Sequence, residues 1–234
     1  MPEKWGAAKM VVSKTNVLAQ PLQLPCGVVL KNRIAKSAMS DSLGNGCGAP
    51  TDAQSRLYER WAEGGLALSI IGEVQGRPDF AEKPGNLVLD ARSDPETFKA
   101  LARAGSNNNA HLWVQLGHAG AMADPPISNP MGPSELDLLG LKCRALPMSE
   151  IQRLPDEFAR TAVLAKELGF GGVEIHAAHG FLLSQFLSPL FTKRTDAYPG
   201  LLPRQSYLVP KRCLSSDFEE ALGRKLQIAG VPRR

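Results

Sequence analysis

The chain of 234 residues is 43% hydrophobic and 21% charged, with 22 Gly and 18 Pro. That composition excludes a disordered chain and fits one large or two small domains. The formal net charge is +4, from 27 Lys+Arg against 23 Asp+Glu, too mild an excess to indicate a nucleic-acid partner. No run approaches the ~20 apolar residues of a membrane span, so no membrane partner is expected. Met1 to Gln20 carries Lys4, Lys9 and Lys14 without the continuous apolar run of a secretory signal. Cys26, Cys47, Cys143 and Cys213 are widely spaced and form no C-x-x-C pair. They suggest neither a zinc site nor a disulfide framework, and a reduced, cytoplasmic setting is expected.

In chain order, Arg33 to Met39 is a short run ending in small residues. Thr51-x-x-Gln54 reads as a capping box opening a helix through Leu57, Tyr58 and Trp61, stopped by Gly64-Gly65. Leu66 to Ile71 reads as a buried strand, and Ser93-Asp94-Pro95-Glu96 as a helix start with Pro95 at its first position, running out near Gly105. His111 to Leu116 is the third strand. A long Pro-, Gly- and Ser-rich connection from Gly117 to about Pro147 follows; such a loop inside a compact domain is usually functional or mobile. Ser149-x-x-Gln152 precedes a helix whose Phe158, Ala162, Ala165 and Leu168 share one face, with Gly169 as its cap. Gly172 to His176 is the fourth strand.

Four strand-then-helix units whose strands are apolar on both faces imply a parallel sheet covered by helices. Such a sheet closes either as a doubly wound open sheet or as an eight-stranded barrel. In both, chemistry gathers at the carboxyl ends of the strands. Those ends carry Ser37 to Ser40, Gly72-Glu73, Gln115 to His118 and His176 to His179.

His176-Ala-Ala-His179-Gly180 holds half of the four histidines. The pair fits a hydrogen-bonded strand-to-helix corner, or two donors gripping an anionic or carbonyl oxygen. No third ligand stands at a recognisable spacing for catalytic zinc. Gln115 is a polar residue in an apolar strand and must satisfy both ends of its amide. It can do so against a planar ring alternating carbonyls and N–H groups, or by capping a neighbouring strand. Ser37-Ala38-Met39-Ser40, and likewise Gly72, would let a flat ligand lie against the backbone, and they equally suit tight packing. No G-x-G-x-x-G follows a strand, and no P-loop is present.

These residues resemble the Old Yellow Enzyme family of FMN-dependent ene-reductases and NADH:flavin oxidoreductases. The resemblance is carried by Leu30-Lys-Asn-Arg-Ile34 with Ser37 to Ser40, by the helix Arg56 to Gly65, by Trp113-Val-Gln-Leu-Gly-His118, and by Val173 to Pro189. Arg194-Thr-Asp-Ala-Tyr198 looks like the start of the family's R-T-D-x-Y-G-G-S signature. The resemblance implies an α/β fold of (β/α)8 barrel type with FMN at the carboxyl ends of the strands. Ser37, Ala38, Met39 and Ser40 would line the isoalloxazine, Gly72 would back it, and Gln115 would bond its pyrimidine edge. His176 and His179 would hold the substrate oxygen, His176 also facing the flavin. NADH or NADPH would reduce the flavin, and the acceptor would be an activated alkene such as an α,β-unsaturated carbonyl compound.

Two departures qualify this. Phe181 stands where many members have a proton-donating tyrosine. After Tyr198 the signature breaks off into Pro199-Gly-Leu-Leu-Pro-Arg-Gln-Ser206, so residues 1–198 read as the N-terminal part of the barrel, about four of eight strand–helix units. Residues 199–234 read as a divergent, irregular tail outside it. Residues 1–198 hold 20 basic and 20 acidic side chains, leaving 7 against 3 in the tail, so the whole +4 belongs there. The alternative to the enzyme is a truncated, catalytically silent barrel fragment that binds no flavin.

Overall fold

The computed structural model describes residues 17–138 and 140–198, together with the backbone of Gln227–Ala229. An antiparallel pair, β1 (Leu22–Gln23) and β2 (Val29–Leu30), comes first. Four strand–helix units follow: β3 (Ala35–Met39) with α1 (Asp52–Glu63), β4 (Leu68–Gln75) with α2 (Pro95–Gly105), β5 (His111–Gly117), and later β9 (Gly172–Ile175) with the short α4 (Leu182–Gln185). Between β5 and its helix α3 (Met148–Glu167) lie β6 (Met131–Gly132), β7 (Leu136–Leu138) and β8 (Leu141–Ala145). The main sheet is parallel, ordered β10 (Gln227–Ala229), β9, β5, β4 and β3.

The helix starts follow local chemistry. Thr51 caps α1 by accepting from the Gln54 N–H at 3.2 Å, and Asp94 caps α2 by accepting from the Glu96 N–H at 3.1 Å, with Pro95 at the first helical position. Ser149, read as preceding α3, lies inside the helix. The helix begins at Met148, after an extended Pro147 that presents no capping side chain. The connection 117–147, expected to be irregular, carries the small β6-β8-β7 sheet. Arg194 ties this loop down by donating to the Pro133 carbonyl at 2.8 Å and the Leu146 carbonyl at 3.0 Å.

Both faces of the sheet are buried. Toward the helices, Ile71, Val74, Val114, Leu116, Val173 and Ile175 pack on Tyr58, Phe98, Leu101, Phe158 and Ala162. On the other face Leu68, Ile70 and Trp113 meet Leu30 and Ala67. A parallel sheet sandwiched in this way explains why its strands read as continuous apolar runs rather than alternating ones. On that second face the Trp113 indole lies against Gly172, where an added Cβ would stand 2.5 Å from the ring.

One short segment of the tail is described. Gln227–Ala229 forms β10, which pairs in parallel with Gly172 to Glu174 of β9. The free edge of β9 offers unpaired N–H and C=O groups, and a short extended segment satisfies them. The rest of 199–234, Cys213 included, lies outside the described residues. Among the described residues no helix is long and apolar enough to cross a membrane.

Candidate functional site

The carboxyl ends of β3, β4, β5 and β9 form a contiguous row. Met39 ends β3, with its side chain 59% exposed, and the Ser40 hydroxyl that follows is shut from solvent without a protein partner. Gly72 sits against this corner: a Cβ there would lie 2.5 Å from the Met39 carbonyl carbon and 2.9 Å from the Ser40 nitrogen. The glycine therefore serves strand packing, and it is what lets the Met39–Ser40 backbone approach β4. Next to it β4 is longer than its apolar pattern indicates, because it continues past a register irregularity between Ile71 and Val74. Glu73 sits in that irregularity with φ +59°, a left-handed conformation costly for a side-chain-bearing residue.

Gln115 is held from both sides. Its Oε1 accepts the Glu73 N–H at 3.3 Å, and its Nε2 donates to the Glu174 carboxylate at 2.7 Å. One Nε2 hydrogen and one Oε1 lone pair remain, so the amide is oriented and keeps one donor and one acceptor to offer. These contacts with the flanking strands are what aim the amide. Glu174 was not singled out from sequence. Its signal was the period-two alternation along β9, which puts it on the same face as His176.

His176 is buried, and its backbone N–H donates to the Leu116 carbonyl at 2.9 Å. Its ring stands 5.3 Å from that of His179, nearly perpendicular, and 4.7 Å from Phe181. Burial, reinforced by His179, lowers the His176 pKa, and Glu73 only partly offsets this. His176 is therefore a neutral imidazole at neutral pH, a hydrogen-bond donor through one nitrogen. The His179 side chain is exposed; its φ of +55°, followed by +78° at Gly180, turns the chain from β9 into α4. Gln185 locks this turn by donating to Gly180 and Ala119 carbonyls and accepting from the Ala121 N–H.

Not every candidate converges. Ser37 is exposed on the edge strand, and Ala38 packs toward the Ile70 cluster, both farther back along β3 than Met39. His118 points away from Gln115. It stacks on Phe80 with ring centroids 3.8 Å apart, and burial together with nearby Arg77 pushes its pKa down to about 3.

The residue types in this row suit a flat, polar heteroaromatic group. An exposed, flexible thioether and an unpartnered buried hydroxyl stand at one end, and an oriented amide at the centre. A pair of imidazoles stands at the other end. Residues 17–205 match the model of the NADH:flavin oxidoreductase / NADH oxidase family. The chain belongs to that family. An NADH-dependent flavin oxidoreductase of Hypocrea jecorina is 33% identical over 210 residues, covering 80% of this chain and 52% of the relative. The NADH oxidase of Thermoanaerobacter brockii is 33% identical over 187 residues, covering 76% of this chain and 28% of the relative. The chain thus spans about half the length, or less, of these curated family members. Among solved structures, the Old Yellow Enzyme of Pichia sp. AKU4542 superposes with TM-score 0.81 at 24% identity, covering 91% of this chain and 58% of that one. Morphinone reductase in complex with tetrahydroNAD superposes with TM-score 0.79 at 24% identity, covering 90% and 62%. These likenesses show the fold: the family's (β/α)8 barrel, of which this chain supplies part.

Proposed function

We propose that this chain carries the flavin and substrate contacts of an oxidoreductase that moves hydride from NADH or NADPH, through FMN, to an activated alkene of the α,β-unsaturated carbonyl type. The observation that carries the reading is the oriented Gln115 amide, held by the Glu73 N–H and Glu174 between the Ser40 corner and the histidine pair. FMN would supply the redox chemistry. Met39 and Ser40 would stand against its ring, and Gln115 would bond the pyrimidine edge, with Gly72 keeping the β3 corner close. Ser37 and Ala38 would contribute mainly through the course of β3. Neutral His176 and exposed His179 would donate to the substrate oxygen, withdrawing charge from the conjugated carbon. Phe181 would exclude water beside His176 and can donate no proton.

Purified chain titrated with FMN and then NADH tests this. Binding of one FMN per chain, bleached by NADH or NADPH, is expected. Gln115→Ala should weaken FMN binding about tenfold or more, as loss of an oriented hydrogen bond costs ~1–2 kcal/mol. A colourless chain at saturating FMN supports the second reading, a barrel fragment that binds no flavin. That reading draws on the open β3 edge, where Ile34 and Met39 are 49% and 59% exposed.

The histidines have a separate test. His176→Ala and His179→Ala should each weaken a phenol or enone ligand about tenfold while FMN affinity changes by no more than about twofold. Unchanged phenol affinity in both variants would remove them from the substrate site.

A further inference from the structure

The far end of β4 is braced by a segment outside the strand-end row. Past Ile71, where the pairing with β3 stops, residues 87–89 lie alongside instead. The Gln75 N–H donates to the Leu87 carbonyl and the Leu89 N–H to the Gln75 carbonyl, both at 2.8 Å. The same segment is also tied to the chain that follows β3. There the Gly44 N–H donates to the Gly85 carbonyl at 3.1 Å, and the Val88 N–H to the Gly48 carbonyl at 2.9 Å. Asn86 stands between the Gly85 and Leu87 contacts and is buried. Its Oδ1 accepts from the Glu82 and Lys83 N–H groups at 3.0 and 2.9 Å, which fixes the orientation of the amide. The Nδ2 end therefore faces Glu73 and donates to its carboxylate at 3.1 Å.

We propose that Asn86 is a positioning residue for Gln115: by gripping the Glu73 side chain it holds the backbone turn that aims the Glu73 N–H at the Gln115 Oε1. The functional half of the proposal rests on the flavin reading of Gln115. Glu73 needs an outside hold. The pairing with β5 shifts register between Ile71 and Val74, so the ladder does not set the Glu73 backbone. Its φ of +59° is intrinsically disfavoured, and such a conformation persists only where the surroundings over-determine it. A hydrogen bond from a buried amide to a carboxylate is charge-assisted, and so among the stronger contacts a side chain makes. Asn86 acts at both ends of one amide: Oδ1 shapes the 82–86 turn, and Nδ2 holds Glu73. An aspartate in its place keeps the acceptor for the turn and replaces the donor by a second carboxylate oxygen. The two roles are thereby separable.

Amide hydrogen exchange, followed by NMR on the flavin-free chain at about pH 8, where carboxyl groups are ionised, tests the hold on Glu73. Asn86→Asp should speed exchange of the residue-73 amide about tenfold, as expected for loss of one charge-assisted hydrogen bond. The amides of residues 82 and 83, still facing an acceptor, should change by no more than about twofold. Adding Glu73→Gln restores a donor–acceptor pair of reversed polarity. It should bring the residue-73 amide back to within about threefold of the native rate. Unchanged exchange in Asn86→Asp, no recovery in the double variant, or equal acceleration at residues 73, 82 and 83 would each overturn the hold. Titration with FMN tests the link to Gln115. Affinity should fall about fivefold in Asn86→Asp and recover in the double variant. If the native chain binds FMN and Asn86→Asp binds it equally well, the positioning role is overturned. If the native chain binds no FMN, the flavin reading fails, and exchange alone decides whether Asn86 keeps the Glu73 N–H on Gln115.

Discussion

Replacing Gly72 by valine should destabilise the chain by about 3 kcal/mol and disturb the Met39–Ser40 corner along with it. The first atom of any side chain at this position would enter 2.5 Å from the Met39 carbonyl carbon and 2.6 Å from its oxygen. These are backbone atoms held in the β3–β4 pairing, with Met39 opposite Ile71, and they cannot rotate away as a side-chain tip could. Overpacking of this kind costs about 1–3 kcal/mol, and more where backbone must move. For a chain of this size about 3 kcal/mol corresponds to a Tm lower by about 6–12 °C. Thermal unfolding followed by circular dichroism measures the loss. Unchanged Tm in Gly72→Val would mean that β3 is not held against β4 as described. Gly72→Ala should fall between native and valine, because it adds the clashing Cβ without the two further methyl groups.

The second large effect is expected at Asp41, just beyond Ser40. Its carboxylate accepts from Tyr58 Oη at 2.9 Å and from Gln54 Nε2 through both oxygens at 3.0 Å, and it also receives the Leu43 N–H at 2.9 Å. Tyr58 and Gln54 are buried on α1. Lys36 completes the cluster: its Nζ donates to the Ile70 carbonyl at 3.0 Å and lies 4.7 Å over the Trp61 ring. Burial lowers the Lys36 pKa, and Asp41 opposes that shift. Burial, then the charge and hydrogen bond of Asp41, drive the Tyr58 pKa far above its ordinary value, so the phenol stays a donor. Asp41→Ala would strand the Tyr58 hydroxyl and the Gln54 amide without acceptors and leave Lys36 less compensated. Each buried group so orphaned costs about 1–3 kcal/mol, for an expected loss of about 3 kcal/mol. Urea unfolding measures it. Asp41→Asn, which keeps an acceptor oxygen, should lose clearly less, and equal losses in the two variants would remove the hydrogen bonds as the cause.

These two sites show what was readable from the chain and what was not. The capping residues Thr51 and Asp94 and the four β-then-α units are local features, set by side chains within a few positions of one another. They fall where the pattern of residues places them. The histidine block and Gln115 were visible for the same reason, being polar residues at the ends of apolar strands. The role of Gly72 was not. Only the approach of β3, more than thirty residues earlier, decides that its missing Cβ serves packing. Likewise, nothing near Ser149 announces that an extended Pro147 would begin α3 first.

By itself the sequence determined the four strand–helix units, the parallel α/β class and the candidates at the strand ends, because periodicity and capping are short-range. It also assigned the whole net charge to the segment after Tyr198. Only the tertiary structure decided which of those residues meet. It brought Glu73 and Glu174 onto Gln115 from the flanking strands and turned His118 toward Phe80, away from the row. It left Ser37 on the sheet edge, set Asn86 against Glu73, and paired Gln227–Ala229 of the divergent tail with β9. Those juxtapositions depend on strand register and on loops that return from a distance, and neither is encoded in the spacing of neighbouring residues.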